Sequence, residues 1–302
     1  MGLQLYKKSR WIIAEKYRVG ARSKRFLVEI NDEKVEIAAR TMDLLVFYGN
    51  GVITSSAFFL ALKEGVNIVL IGDGLVWMEN LFKDVEYLLS QYYQEKGFGA
   101  VHAVLNSYIK SARYFLSRNG VKVSTRKLVE TGDPEEKYKK SIETLENAFI
   151  EYTSNHLGNE TNIIDSLSDF YFKFLKAEVL NGVLRAGLNP HLSLIENAQL
   201  YELLALELKP PLVWESIIRI RDALIGELDS KASTLRRVAA ILKNKLENPL
   251  PGHKISYRYA MLKRIEALAV ALKNPLLEYK AVSYTHLRAH ETEADLVCRL
   301  LL

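Results

Sequence analysis

Near residue 80 the hydrophobic pattern of this chain changes its period from two to about three and a half, so one sequence has to build two kinds of structure. Upstream of the change the segments are short and β-like. Trp11-Ile12-Ile13-Ala14 is an apolar run, Phe26, Val28 and Ile30 share one face of a strand, and Val35 and Ile37 share a face of the next. Asn31-Asp32-Glu33 between them predicts a hairpin loop. A third run, Leu44 to Phe47, is expected to stop at Gly49-Asn50-Gly51. Thr54 to Ser56 offers N-caps, Phe58, Phe59 and Leu62 follow helical spacing, and Gly65 is a C-terminal stop. Val66 to Ile71 and Leu75 to Met78 then predict two further strands around Gly72-Asp73-Gly74.

Downstream, Val101, Leu105, Tyr108, Ala112 and Phe115 recur at helical spacing, as do Leu167, Phe170, Phe174, Ala177, Leu180 and Leu184. Pro134 is a linker or N1 signal before a helix expected from about Glu135 to His156, and Gly187-Leu188-Asn189-Pro190 and Asn248-Pro249-Leu250-Pro251-Gly252 are stops. The expected fold class is therefore α+β, a small β-rich N-terminal domain over residues 1–80 followed by a larger all-α C-terminal domain over 81–280. Residues 281–302 stand apart. Their wording resembles the translated adapter DNA found at the edges of assembled sequencing reads, against the alternative of a short amphipathic helix, and they are excluded from fold reasoning. His286, His290 and Cys298 go with them.

Composition narrows the class of protein. Of the 302 residues 49% are hydrophobic and 25% charged, which is globular usage, and no apolar run reaches the length of a membrane-spanning helix. The N-terminus lacks a secretory signal, and the single cysteine rules out an internal disulfide framework or a zinc finger, so the expected compartment is a reducing cytoplasm. A net charge of +5 permits a nucleic-acid partner without requiring one.

An ordered set of segments resembles the CRISPR-associated integrase family that captures new spacers. Leu45-Val46-Phe47-Tyr48-Gly49, Val52-Ile53-Thr54 with Ala57 and Leu60, and Glu64-Gly65-Val66-Asn67-Ile68 are similar to its N-terminal domain. Ser90-Gln91-Tyr92, Lys110-Ser111-Ala112-Arg113, and Ala177-Glu178-Val179-Leu180 running into Ala186-Gly187-Leu188-Asn189-Pro190 follow in the family's order. Residues 257–279, with Ala269 to Leu272 before a closing tyrosine, resemble its last helix. The resemblance implies a metal-dependent DNA endonuclease and integrase that inserts new spacers into a CRISPR array in antiviral adaptation. Its implied cofactor is Mg²⁺ or Mn²⁺. Its implied partners are spacer-precursor and repeat DNA, a second copy of the chain as a homodimer, and a small ferredoxin-like second adaptation protein.

Carried over residue by residue, the resemblance puts the first acidic metal ligand at Glu146, which equally reads as a solvated carboxylate on a charged helix face. Where the family has a histidine, Leu194-Ile195 leads into Glu196, while His191 matches a non-catalytic position. The third ligand matches Glu207 in Ala205-Leu206-Glu207-Leu208, although the spacing to Lys209-Pro210 is shorter than the family's and, with that step held fixed, neither Glu207 nor Glu202 is in register. An all-carboxylate trio of Glu146, Glu196 and Glu207 suits a hard divalent cation. The alternative is a degenerate site in a DNA-binding scaffold of the same complex. Basic residues after the site, Arg219, Arg221, Arg236, Arg237, Lys243, Lys245, Lys254, Arg258, Lys263 and Arg264, read as phosphate contacts, diluted by Glu215, Asp222, Glu227 and Glu247. From outside the family, an unrelated basic helical DNA-binding protein would carry the same pattern.

Overall fold

A computed structural model describes residues 7–78, 89–157, 161–191, 193–196, 198–224, 232–250, 254–273 and 279. The chain divides into two compact units, one of residues 1–84 with 226–240 and one of residues 85–225 with 241–302. Strands fill the first and helices dominate the second, so the fold is α+β. The segment 281–302 lies outside the described residues. Among the described residues no helix is long and apolar enough to cross a membrane.

In the first unit β1 (Lys8–Arg22), β2 (Arg25–Ile30) and β3 (Glu33–Ala38) form an antiparallel meander. The β2–β3 turn is two residues long, not three. Asn31 and Asp32 sit at φ 49° and 66°, a left-handed pair that these short polar side chains tolerate, and Glu33 already pairs with Ile30. A 3₁₀ turn, Ala39–Thr41, leads into β4 (Met42–Ile53), which runs parallel to β1. Leu44, Leu45, Val46 and Phe47 are all buried, which is why this strand reads as a continuous apolar run.

The expected stop at Gly49-Asn50-Gly51 is not a stop, because β4 continues through it. The ladder slips between Ile13 and Lys16. At that slip Gly49 adopts φ +112° and lies so close to β1 that a Cβ would stand 1.7 Å from the Ala14 carbonyl oxygen. A Cβ on Gly51 would stand 2.2 Å from the Tyr17 ring, which stacks on Phe47 at 5.0 Å. These glycines admit a bulge and a ring into the sheet, and do not break the strand.

Helix α1 (Ser55–Glu64) follows as the crossover. The Thr54 hydroxyl oxygen accepts from the Ala57 N–H at 3.4 Å, and Gly65 closes the helix at φ 68°. β5 (Asn67–Ile71) joins β4 in parallel and β6 (Leu75–Met78) turns back antiparallel, giving the sheet order β3-β2-β1-β4-β5-β6. Phe26, Val28, Leu45 and Phe47 from the sheet pack with Ala57 and Ala61 of α1 in one core.

The second unit is built on α2 (Leu89–Arg118), α3 (Arg126–Glu130), α4 (Pro134–Leu157) and α5 (Thr161–Arg185), the last ending just before Gly187 at φ 71°. It also holds a small hairpin of β7 (Ser193–Ile195) and β8 (Ala198–Gln199), which an all-α reading does not include. Helix α6 (Leu200–Leu208) then passes into a π-helical turn, Lys209–Trp214, and on into α7 (Glu215–Leu224). Pro210-Pro211 explains the change of register: proline supplies no N–H to an α-helical ladder, and the wider turn accommodates that missing donor. α8 (Ala232–Glu247), whose N-terminal part is grouped with the first unit, and α9 (Tyr257–Lys273) complete the chain. Gly182 in α5 makes room for α9, since a Cβ there would stand 2.6 Å from Ile265 Cδ1.

The π turn ends on Trp214, which is fully buried and stacks on Phe149 at 4.6 Å and 5°, with Phe115 edge-on at 5.4 Å. Its indole N–H has no acceptor among the described residues. Packing, then, is what holds this side chain, and the polar group contributes nothing. Trp214→Ala is expected to cost about 3–5 kcal/mol in urea unfolding, while Trp214→Phe, which keeps a ring against Phe149 and removes the unmet N–H, costs less than about 2 kcal/mol.

Candidate functional site

The three carboxylates singled out from the sequence lie in three different environments. Glu146, midway along α4, is nearly buried; its Oε2 is 2.8 Å from Lys209 Nζ and its Oε1 accepts from the Tyr108 hydroxyl at 3.0 Å. Lys209 opens the π turn, so the irregular backbone delivers this cation to α4. Glu207, in the last turn of α6, is fully buried and takes both the Ser107 hydroxyl of α2 and the Arg264 guanidinium of α9 on Oε1. Burial pushes its carboxyl above the usual range, and the Arg264 charge and the Ser107 hydrogen bond pull it back. Glu196 is exposed in the β7–β8 turn, where its backbone N–H donates to the Glu135 carboxylate.

Two further acids follow the same rule. Glu178 of α5 is buried with the Arg258 guanidinium of α9 at 3.0 Å. Glu202 accepts from the Gln199 N–H at the start of α6 and lies 3.2 Å from Lys176. Lys176 and Lys209 stand over the Phe172 ring at 5.2 and 4.8 Å, so the Glu202–Lys176 and Glu146–Lys209 pairs flank one aromatic side chain. Tyr108 is pushed well above the ordinary phenol value by burial first and then by the Glu146 charge, which fixes it as a hydrogen-bond donor.

A divalent cation needs several oxygens converging on one point. Among the described residues no group of three His, Cys, Asp or Glu side chains could hold one. Both Glu146 oxygens already face donors, and a metal beside Glu146 would meet the Lys209 ammonium, at about 4 kcal/mol of repulsion for each unit of ion charge at 4 Å and an effective dielectric of 20. Glu207 is likewise neutralised from within. Glu146, Glu196 and Glu207 in this arrangement do not fit a Mg²⁺ or Mn²⁺ centre.

Of the basic residues read as phosphate contacts, Arg219, Arg236, Arg237 and Lys254 are exposed. Arg236 donates to the Ala232 carbonyl at 3.2 Å, and Lys243 lies 4.0 Å from Glu247 on its own helix. The side chain of Arg221 lies outside the described residues. Arg258 is a correction: its side chain is only 10% exposed and is paired with Glu178, whose buried carboxylate would be costly without a cation. His191 is exposed, its backbone N–H donating to Asn189 Oδ1 at 3.0 Å in a turn. Ser107 and Lys176 carry no motif and escape a reading of the sequence; Tyr108 reads there only as one position of a helical stripe, and Lys209 has a signal in the Lys-Pro step, but nothing in its spacing marks it as the partner of Glu146.

The fold is one shared with a casposase and with CAS1 proteins. The chain superposes on a casposase bound to integration product with a TM-score of 0.72 and 16% identity, covering 97% of this chain and 98% of that one. On a CAS1 protein from Thermotoga maritima the TM-score is 0.76 at 12% identity, over 89% and 98%. On a chain of a Cas6-RT-Cas1–Cas2 complex it is 0.69 at 12%, covering 94% of this chain and 37% of that one. No family model and no curated protein matches the sequence. At these identities the likeness is one of fold.

If Glu207 and Arg264 form a structural pair, breaking it from either side leaves a buried charge. Glu207→Gln or Arg264→Met alone is expected to lower urea stability by about 3–5 kcal/mol, and the double variant Glu207→Leu, Arg264→Met by clearly less than the sum of the two. A strictly additive double-mutant cycle would show that the two side chains do not act as a unit.

Proposed function

We propose that this chain is a DNA-binding subunit of the spacer-integration type, whose site carboxylates serve as internal counter-ions and position helices. The Glu146–Lys209 ion pair carries the reading, because a tethered ammonium sits on the carboxylate that the resemblance assigns to a metal. The shared fold supports a role beside DNA ends and repeats, and one of the similar structures is a casposase on its integration product. Exposed Arg219, Arg236, Arg237 and Lys254 supply cations for phosphate contact. The same likeness, which includes a complex that contains Cas2, motivates two partners: a second copy of this chain and a small ferredoxin-like adaptation protein.

The competing reading is a working Mg²⁺- or Mn²⁺-dependent endonuclease and integrase. Strand transfer of a short duplex into a repeat-bearing plasmid, with Mn²⁺ present, separates the two. The unaltered protein is expected to retard both DNAs in a gel while yielding no joined product, and chelation is expected to leave the retardation unchanged. Joined product from the unaltered protein, abolished in Glu146→Ala, would overturn the scaffold reading and establish the metal-dependent one.

A further inference from the structure

Apart from the carboxylate site, three helices bring cations to one acid in the second unit. Glu215, the first residue of α7, has Oε1 3.1 Å from Arg118 Nη2 at the end of α2, and its Oε2 is bonded to Lys245 Nζ near the end of α8. Arg219, one turn along α7, is exposed and acts electrostatically on the same lysine. Exposure grades outward through the group. Lys245 is 6% exposed, Glu215 15% and Arg118 41%, and the Arg118 guanidinium lies over the Phe115 ring at 6.0 Å.

The Glu215 carboxylate favours the charged form of Lys245, and the Arg219 and Arg118 guanidiniums oppose it. The repulsion among these cations is unfavourable within the protein itself. Burial first, and the two arginines after it, push the Lys245 ammonium down to about 8, against the pull of Glu215. Lys245 and Glu215 are held by burial, whereas the two guanidiniums reach solvent. A second anion arriving at the arginines would meet planar donors already positioned and would relieve the repulsion.

We propose that Arg118, Arg219 and Lys245, arranged around Glu215, form a subsite for a DNA backbone phosphate. The proposal rests on the DNA-binding reading above and names a contact within it. Arg219 is legible in the sequence as a basic residue, but Arg118 is about 100 positions away from it, and only the fold brings the two together. Lys245 holds Glu215 in place from beneath and adds its charge through the carboxylate, while the arginines make the contact.

Salt titration of binding to a labelled duplex DNA tests the subsite, because removing one phosphate contact takes about one unit off the slope of log affinity against log salt. Arg118→Gln, Arg219→Gln is expected to lower the slope by about one, weaken binding about ten-fold or more at low salt, and leave the thermal transition cooperative, since the Lys245–Glu215 pair stays intact. Arg118→Lys, Arg219→Lys is expected to recover most of the slope. The control Lys127→Gln, Lys139→Gln removes the same charge from exposed positions of α3 and α4. An unchanged slope in the glutamine variant, or an equal decrease in the control, overturns the subsite while the DNA-binding reading stands. No salt-dependent binding by the unaltered protein defeats that reading and the subsite with it.

Discussion

A carboxylate inside a helical unit is tolerable only if a cation is brought to it, and the second unit depends on meeting that demand several times over. Glu207 ties α6 to α9 through Arg264 and to α2 through Ser107, Glu178 ties α5 to α9 through Arg258, and Glu146 ties α4 to the π turn through Lys209. Each link joins elements that are distant in sequence. Hydrophobic packing around Trp214 supplies the bulk of the attraction, but it is not directional. The ion pairs fix which faces meet, because a slipped helix would strand a buried charge.

That demand explains why the fold is easier to read from the sequence than the site. Strand and helix periods are local, so α1 with Thr54 and Gly65 at its ends, or α4 opening at Pro134, follow from neighbouring residues. Where a local signal misleads, a tertiary contact outweighs it. Gly49-Asn50-Gly51 reads as a break until the backbone of β1 and the ring of Tyr17 occupy the space that the glycines leave. Arg258 reads as a surface cation until α5 places Glu178 beneath it. Glu146 and Glu207 stand out in the sequence as carboxylates of interest, yet their partners Lys209 and Arg264 lie 63 and 57 positions away, and no spacing rule connects them.

Likeness of fold and likeness of sequence separate in this chain. The arrangement of strands and helices matches that of a casposase bound to integration product and of a CAS1 protein, while identity to them stays at 12–16%. A fold at such identity preserves where helices run more faithfully than which atoms face one another.

The π turn at Lys209–Trp214 bears on how such chains are compared. A π turn takes up one more residue than an α turn, and one residue corresponds to about 100° around a helix. Positions counted across Pro210-Pro211 thus measure length along the chain and no longer report orientation. Two relatives that differ by one residue between Glu207 and Glu215 can present the same face of α7 if one has the wide turn and the other does not. Residues before Lys209 and after Trp214 therefore have to be aligned separately.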